Sequence, residues 1–170
     1  MSLRAAVFFA AGLSLSAANT GAQTATPATA PVRVAIAGTV HGHVTGFMRQ
    51  LASRPEVTLV GVWEPDAALR EAFRTRYSLP ADQMFASLDD LLAKAKPEAV
   101  ASFSSTKDHR PIVEAAAPRG VHVMVEKPLA RTSEEAAKLV AIAEERGLTL
   151  MPGHTFLYSP AVNKVRDMIQ

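Results

Sequence analysis

The segment VRVAIAGTVHGH, residues 32–43, decides the fold class of this chain. Its first six residues are a short run rich in β-branched and apolar side chains, which predicts a β-strand, and the run leads directly into Gly38 and Gly42. Apolar residues then recur at the spacing of one helical face: Val44, Phe47, Met48 and Leu51. The glycines therefore lie where a strand turns into a helix, and the first N–H groups of such a helix, which lack carbonyl partners, can hold a pyrophosphate.

The glycine loop is an imperfect dinucleotide-binding fingerprint. In the register G-x-G-x-x-G, Val40 replaces the second glycine and His43 replaces the third. The bulkier Val40 is expected to push a pyrophosphate outward from the loop. We expect all five loop residues to take part in cofactor binding: Gly38, Thr39, Val40, His41 and Gly42.

An acidic residue supports the same interpretation. A second strand, predicted at 58–63, ends at Glu64, which follows Gly38 by 26 positions. The fingerprint expects an acid about 20 residues beyond the first glycine, where it accepts hydrogen bonds from the adenosine ribose. Because a carboxylate repels a 2′-phosphate, Glu64 favours NAD over NADP as the cofactor. The alternative is a solvated glutamate ahead of a helix start at 65–66.

Strands and helices alternate along the whole of the segment 32–153. Further strands are predicted at residues 98–103, 121–125 and 148–151. Capping residues mark the helix starts between the strands: Asp66, Ser87 with Asp90, and Thr132 with Glu135. This alternation predicts an α/β domain with a doubly wound parallel sheet of Rossmann type and helices on both faces.

The predicted topology also indicates where a site lies. In open parallel sheets, ligands bind beyond the carboxyl ends of the strands. Polar or glycine residues follow the predicted strands at five such ends: Gly38, Glu64, Ser104, Glu126 and Gly153. We therefore expect these loops to converge on one crevice.

Composition excludes several classes of function. Of the 170 residues, 48% are hydrophobic and 20% are charged, which is typical of a globular domain rather than a disordered chain. The net charge of +2 comes from basic residues that are scattered along the sequence, so no nucleic-acid partner is expected. The chain contains no cysteine, which excludes disulfides, thiol catalysis and thiolate metal ligands.

The N-terminus has the features of an export signal. Arg4 gives a short positive region, an apolar stretch follows at 5–16, and small residues at 16–22 offer cleavage sites. We expect residues 1–22 to be a cleaved signal peptide and the Thr/Ala/Pro-rich residues 23–31 to be a linker, which places the protein in the periplasm or outside the cell. The apolar stretch is short for a bilayer span, so no stable membrane span is expected after cleavage. A membrane-tethered or a cytoplasmic protein is the alternative.

The triplet EKP at 126–128 makes the interpretation more specific. It follows the strand predicted at 121–125. Four other features occur with it in a fixed order along the chain: the glycine loop, Glu64, the serines at 104–105 after the strand predicted at 98–103, and residues 153–160. With this set the chain resembles the N-terminal half of the Gfo/Idh/MocA oxidoreductases over residues 32–170. Members of that family combine a Rossmann domain with a sheet-rich substrate domain.

The resemblance implies NAD(P)-dependent hydride transfer at a hydroxyl-bearing carbon of a sugar, a cyclitol or a similar small molecule. It implies that Lys127 is catalytic, near the nicotinamide and the substrate hydroxyl, where its ammonium would stabilise a developing alkoxide or take part in proton transfer. Further cofactor-binding residues implied by the family pattern are Ser104, Ser105, His109, Glu126 and Lys127. Weaker substrate contacts are assigned to His154 and Tyr158, because the asparagine and arginine often found at this junction are lacking.

Two further features bear on function. His41 and His43 suggest a metal site, but no third ligand lies nearby in the sequence, so no metal is expected. Residues 154–170 are expected to begin a connection to a C-terminal substrate domain that the chain lacks. On this interpretation the chain binds the dinucleotide by itself, and a complementing C-terminal half or a homo-oligomer is a possible partner.

Two other functions stay open at this point. A non-catalytic nucleotide-binding or partner-binding remnant would explain the altered glycine loop. An NAD-dependent glycosidase would resemble those relatives that cleave sugars through transient oxidation. Both alternatives are compatible with the predicted fold.

Overall fold

The structure, a computed structural model, describes residues 30–169. The predicted export signal (1–22) and residues 23–29 of the predicted linker lie outside this range, so both stay predictions. No helix in the described range is long and apolar enough to cross a bilayer.

The described range contains alternating strands and helices. Six strands are present: β1 (Val32–Ala37), β2 (Val57–Trp63), β3 (Met84–Phe85), β4 (Ala99–Ser102), β5 (His122–Val125) and β6 (Leu150–Pro152). Six α-helices are present: α1 (His43–Leu51), α2 (Ala67–Arg76), α3 (Leu88–Asp90), α4 (Thr106–Ala116), α5 (Ser133–Glu145) and α6 (Pro160–Ile169). Short 3₁₀ turns lie at Ala81–Gln83, Ala117–Arg119 and Thr155–Tyr158, and a π-helical segment, Leu91–Ala95, continues α3.

The six strands form one parallel sheet in the order β3-β2-β1-β4-β5-β6. β1 lies near the centre and pairs with β2 on one side and with β4 on the other. The direction in which successive strands are added reverses at β1 and β4, and in doubly wound sheets this reversal opens a crevice at the carboxyl ends of the two strands. The predicted α/β fold with a doubly wound parallel sheet is confirmed.

β1 supplies side chains to both faces of the sheet. Ala35 and Ala37 are buried in one apolar cluster with residues of α4 and α5, and Ile36 is buried in a second cluster with residues of α1 and α2. Successive strand residues point to opposite faces, which explains why neighbours in β1 join different clusters. Helices therefore pack on both faces of the sheet, as predicted.

Several large side chains of these clusters have almost no exposed surface, among them Ile36, Phe103, Ile112 and Leu139. Burying each one stabilises the fold by about 1.5–3 kcal/mol relative to leaving it in water. They come from a strand, a strand end and two helices, so each contributes to holding the helices against the sheet.

Three elements differ from the sequence predictions. β3 is a two-residue strand at the sheet edge, and its short length leaves no alternation for a sequence argument to detect. α4 begins at Thr106, two residues before the predicted start, because Ser105 is its cap residue and the Asp108 amide donates to the Ser105 carbonyl. The helix predicted after Ser87 is an α-helix for one turn only and is π-helical over Leu91–Ala95. These differences concern β3, the start of α4 and the π-helical segment, and not the carboxyl ends of β1 and β4.

Asp66 caps the N-terminus of α2, as predicted. Its Oδ1 atom accepts hydrogen bonds from the amides of Ala68 at 2.8 Å and Leu69 at 2.9 Å. We expect Asp66→Ala to lower the free energy of unfolding by about 1 kcal/mol, because two amides of the first turn lose their acceptor. Urea unfolding measures the change, and Asp66→Asn, which retains a capping oxygen, is the control. Equal unfolding midpoints for the two variants would contradict the prediction.

Two apolar surfaces are left uncovered by this arrangement. An apolar groove of about 330 Å³ lies beside α1 over β4, β5 and β6, and none of the residues predicted for the site lines it. Large apolar side chains near the end of the described range are also exposed: Phe156, Leu157, Tyr158, Val165, Met168 and Ile169. Contiguous exposed apolar surface is typical of interaction sites.

Candidate functional site

The loops that follow β1 and β4 touch at the switch point of the sheet. Gly38 directly follows β1 with a φ of +77°, and a Cβ atom on it would lie 2.6 Å from the Cβ of Ser104 and 2.7 Å from its Cα. These distances are well below van der Waals contact, so only glycine lets the two loops come this close. Gly38 is thus required both by its backbone conformation and by its contact with Ser104.

Glu64 is buried, and its carboxylate holds the glycine loop in place. Oε2 accepts hydrogen bonds from the Thr39 amide at 2.9 Å and the Thr39 hydroxyl at 2.7 Å, and Oε1 accepts one from the Asp66 amide at 3.1 Å. A carboxylate offers about four acceptor positions, so one position on Oε1 is left for a ribose hydroxyl. The residue predicted to bind ribose therefore also positions the loop, which the sequence did not indicate.

Two amide groups of the glycine loop are available to a ligand. Within residues 30–169, the amides of Val40 and Gly42 donate to no protein acceptor, whereas the His41 amide between them donates to the Phe103 carbonyl at 2.9 Å. α1 begins at His43, directly after them. Unpaired amides at the start of a helix are the groups that bind a phosphate anion. The altered fingerprint therefore still presents donors for a pyrophosphate.

A cleft of about 190 Å³ lies between the carboxyl ends of β1, β2 and β4. Its lining residues are Gly38, Val40, Trp63, Glu64, Pro65, Ser104, Lys107 and Asp108. Pockets that enclose a whole ligand usually measure about 300–1,000 Å³, so this cleft fits one end of an extended ligand such as a dinucleotide. Several predicted cofactor-binding residues line it, and Trp63, Lys107 and Asp108 are additions that the sequence did not single out.

Arg70 lies beside Glu64 and was not predicted. Its Nη1 atom donates to the carbonyl of Glu64 at 2.7 Å and to that of Pro65 at 3.2 Å. In dinucleotide-binding folds an arginine at this place accommodates the 2′-phosphate of NADP. A cation therefore lies next to Glu64, the acid that is expected to disfavour NADP. The sequence signal for it was a basic residue on the first turn of the helix after Glu64.

The two serines after β4 have different surroundings. The hydroxyl of Ser104 is buried and shares a 2.8 Å hydrogen bond with the hydroxyl of Ser102. Ser105 is partly exposed at the start of α4, and its hydroxyl donates to the Asp108 carboxylate at 2.9 Å. Both serines lie at the predicted edge of the sheet, and Ser104 is the surface on which Gly38 packs.

Glu126 lies beside the two histidines of the glycine loop. Its Oε1 atom is 2.9 Å from Nδ1 of His43 and 3.6 Å from Nδ1 of His41. Because a carboxylate only accepts hydrogen bonds, the His43 ring donates the shorter one. The expectation that no metal binds rested on the lack of a third ligand near these histidines in the sequence. Glu126 provides such a ligand in space, so that argument no longer holds.

Lys127 follows Glu126 and has an exposed side chain. Its amide donates to Oε2 of Glu126 at 3.3 Å, and the peptide bond between Lys127 and Pro128 is cis. The ammonium group is therefore carried by a backbone segment that the buried Glu126 carboxylate holds, while its own side chain is open to solvent.

His109 does not reach the crevice surface. It lies in α4 with no exposed area, and its Nδ1 atom is 3.2 Å from the carbonyl oxygen of Leu129. A carbonyl oxygen only accepts, so Nδ1 carries the hydrogen and donates it. The ring has no exposed area, and within residues 30–169 its Nε2 atom has no hydrogen-bond partner. The predicted cofactor contact of His109 stays a prediction. The hydrogen bond from Nδ1 to Leu129 joins α4 to the loop that follows Lys127.

The other end of that loop is fixed by the cap of α5. The Thr132 hydroxyl accepts a hydrogen bond from the Glu135 amide at 3.1 Å, and the Glu135 carboxylate accepts one from the Arg131 amide at 3.1 Å. The bond from the Arg131 amide lowers the pKa of the Glu135 carboxyl, and the Arg131 guanidinium acts in the same direction. The cap predicted at Thr132 and Glu135 is thus confirmed. Through the Arg131 amide, Glu135 also bonds to the end of the loop that follows Lys127.

His154 and Tyr158 follow β6, and both are exposed. The Tyr158 hydroxyl donates to the sulfur of Met151 at 3.8 Å. In the described part of the chain neither side chain bonds to another predicted site residue, so their substrate contacts stay predictions. Gly153 comes closer to the site, since a Cβ atom on it would lie 3.4 Å from Oε2 of Glu126.

Known proteins share this fold and sequence pattern. A family model described as "Oxidoreductase family, NAD-binding Rossmann fold" matches residues 32–154. The dTDP-3,4-didehydro-2,6-dideoxy-alpha-D-glucose 3-reductase of Streptomyces antibioticus is 37% identical over 123 residues, which cover 71% of this chain and 36% of that protein.

Two solved structures of proteins with bound nicotinamide cofactors are also similar to this chain. A 3-ketoreductase of Actinomadura kijaniata in complex with NADP and TDP-benzene aligns with a TM-score of 0.71 and 27% identity over 82% of this chain and 42% of that chain. GenD2 from gentamicin A biosynthesis, in complex with NAD, aligns with a TM-score of 0.66 and 30% identity over 78% of this chain and 37% of that chain. Both nicotinamide cofactors therefore occur among the similar structures.

The chain spans well under half the length of these relatives, from 36% to 42%. The match of the family model covers most of the chain, from β1 to the residues after β6. It includes the glycine loop, the acid after β2 and the EKP triplet. The chain belongs to the Gfo/Idh/MocA family of oxidoreductases, through its NAD(P)-binding Rossmann domain.

Proposed function

We propose that this chain binds NAD in the crevice at the carboxyl ends of β1, β2 and β4, and serves hydride transfer on a carbohydrate-like substrate. The pyrophosphate would be held by the amides of Val40 and Gly42, and the adenosine ribose by the free acceptor position of Glu64. The observation that carries this proposal is that the amides of Val40 and Gly42 donate to no protein acceptor within residues 30–169, in the loop where Gly38 packs against Ser104.

The chemical part of the proposal rests on the family and on Lys127. A bound nicotinamide ring would exchange a hydride with a hydroxyl-bearing carbon. When such a hydroxyl is oxidised, its proton must leave and negative charge builds on its oxygen, and an ammonium at that point stabilises the charge. Lys127 is exposed on the loop after β5 and is the residue proposed for this role. The Streptomyces antibioticus relative is a reductase of a dTDP-linked sugar by name, which supports a carbohydrate-like substrate.

The preference for NAD over NADP rests on the charge of Glu64. At a separation of about 6 Å and an effective dielectric constant of about 20, two like charges repel by roughly 3 kcal/mol. The Arg70 guanidinium opposes this effect, but its Nη1 atom is already bonded to two backbone carbonyls. The carboxylate is therefore proposed to dominate.

Calorimetric titration of the 170-residue chain with NAD and with NADP tests the proposal. We expect saturable binding of both dinucleotides, with an affinity for NAD at least about tenfold higher than for NADP. A tenfold ratio of affinities corresponds to about 1.4 kcal/mol, which is about half of the repulsion between the two charges. Glu64→Gln keeps an oxygen for the Thr39 amide but removes the charge, so it should narrow the gap between the two cofactors by raising the affinity for NADP.

Glu145→Gln is the matched control, since it removes an exposed carboxylate from α5 and leaves the crevice intact. It should bind both cofactors like the unmodified chain. A folded sample that binds neither dinucleotide would refute the cofactor site. An unchanged ratio of affinities in Glu64→Gln would refute the role of Glu64 in cofactor choice.

A further inference from the structure

Three side chains with metal-binding atoms converge beside the glycine loop. His41 and His43 come from the loop between β1 and α1, and Glu126 comes from the end of β5, 83 positions after His43 in the sequence. One ligand atom from each residue lies within 4.8 Å of the others. The two imidazole rings meet edge to face, with centroids 4.6 Å apart and planes inclined by 72°, so they are not stacked on each other.

The distances between these atoms resemble those between ligands of one ion. Nitrogen and oxygen ligands lie about 2.0–2.2 Å from Zn²⁺, so two of them at angles of about 90–110° are separated by roughly 3.0–3.5 Å. The observed Nδ1 to Oε1 separations are 2.9 Å for His43 and 3.6 Å for His41. The ligand atoms of the two histidines lie within 4.8 Å of each other. Side-chain rotations that shorten the longer separations would bring the three groups onto one ion.

The surroundings of Glu126 give a second, independent reason to expect a cation. Its side chain is only 4% exposed, and a buried carboxylate needs a compensating charge or several donors. Within residues 30–169 the basic side chains that lie within 4 Å of its oxygens are the two histidines, and no lysine or arginine side chain does so. The histidine side chains are 27% and 52% exposed, so an ion can enter from the crevice.

We propose that His41, His43 and Glu126 form a binding site for a divalent transition-metal ion, with Zn²⁺ as its probe. Two imidazoles and one carboxylate are a ligand set that zinc and iron(II) accept, and three protein ligands leave coordination positions open for water or for an oxygen of a bound molecule. The ion would replace the hydrogen that now joins the His43 ring to Glu126. This site goes beyond the proposed cofactor binding and does not depend on it.

Titration of the 170-residue chain with Zn²⁺ tests the site. The chain is purified without a histidine tag, treated with a chelator and titrated in the absence of dinucleotide. We expect one Zn²⁺ per chain. His41→Ala, His43→Ala and Glu126→Gln should each weaken binding by at least about tenfold, since loss of even an outer partner of a metal ligand costs about 10–100-fold in affinity. His122→Ala is the control, because His122 lies at the opposite end of β5.

The thermal unfolding midpoint gives a second readout. At one fixed Zn²⁺ concentration, the midpoint should rise for the unmodified chain and for His122→Ala, and it should rise less for each of the three site variants. If a site variant fails to fold, the visible spectrum of Co²⁺ added to the unmodified chain shows whether protein ligands bind the ion. Nitrogen and oxygen ligands in a site of low coordination number make Co²⁺ absorb more strongly than the aqueous ion does. Zn²⁺ binding that is unaffected by the site variants, or a Co²⁺ spectrum identical to that of the aqueous ion, would overturn the proposal.

Discussion

Gly38→Ala is expected to destabilise the domain strongly. An alanine at a φ of +77° costs about 1–2 kcal/mol in backbone conformation. Its Cβ would also lie 2.6 Å and 2.7 Å from Ser104 atoms, one of which is backbone, so the β1 and β4 loops must separate. Overpacking of this kind costs about 1–3 kcal/mol. We therefore expect a loss of about 2–5 kcal/mol in the free energy of unfolding.

Gly46→Ala is the matched control for this experiment. Gly46 lies on α1, a few residues after Gly38, and a Cβ atom on it would meet nothing within 4 Å. Alanine is favoured over glycine within a helix by about 0.5–1 kcal/mol, so this variant should be slightly more stable than the unmodified chain. Urea unfolding of both variants measures the contrast. If Gly38→Ala unfolds at the same urea concentration as Gly46→Ala, the close contact with Ser104 does not exist in solution.

The same substitution should abolish dinucleotide binding. The loops at Gly38 and Ser104 form one wall of the cleft, and their separation would displace the Val40 and Gly42 amides. A stable Gly38→Ala variant that still binds NAD with unchanged affinity would show that these amides do not hold the pyrophosphate.

Lys127→Ala is expected to have the largest effect on catalysis. Under the proposed function, a positioned acid, base or charged group contributes about 10²–10⁴-fold to the rate, so turnover by a form that includes a substrate domain should fall by that factor. Dinucleotide affinity should change little, because the Lys127 side chain is exposed and the amides proposed for the pyrophosphate belong to the glycine loop. Formation of reduced nicotinamide with a panel of dTDP-linked and UDP-linked sugars measures turnover, and calorimetry measures binding.

Lys138→Ala serves as the control for a general effect of removing a positive charge. Lys138 is exposed on α5, outside the glycine loop and the EKP triplet. It should leave both turnover and binding unchanged. Equal turnover of Lys127→Ala and Lys138→Ala would exclude a catalytic role for Lys127. If Lys127→Ala instead loses NAD affinity and turnover by the same factor, Lys127 is assigned to cofactor binding.

His109 illustrates what a sequence pattern leaves open about a side chain. The family pattern places a histidine after the serines that follow β4, and His109 stands at that position. A sequence pattern states which residue is present but not which way its side chain points. In the structure the ring is buried and donates to the Leu129 carbonyl, so it acts on the loop after Lys127 from inside the domain.

Arg70 and Ser104 show a related limit. Glu64 alone favoured NAD in the sequence, and the approach of the Arg70 guanidinium to the Glu64 and Pro65 carbonyls adds an opposing charge. Ser104 was predicted as a ligand-binding residue, and the structure shows it as the close neighbour of Gly38. Ser104 was predicted at this edge of the sheet and Arg70 was not, and for both residues only the structure shows which groups they contact.

The sequence by itself determined the α/β alternation, the position of the glycine loop and the helix caps at Asp66 and Thr132. These features depend on side-chain periodicity and on hydrogen bonds between residues at most a few positions apart, and both are properties of a short segment. Only the tertiary structure brought Glu126 to His41 and His43. That contact depends on the strand order, which places the end of β5 close to the end of β1 with β4 between them, and no local pattern encodes the distance between two loops that lie 83 positions apart.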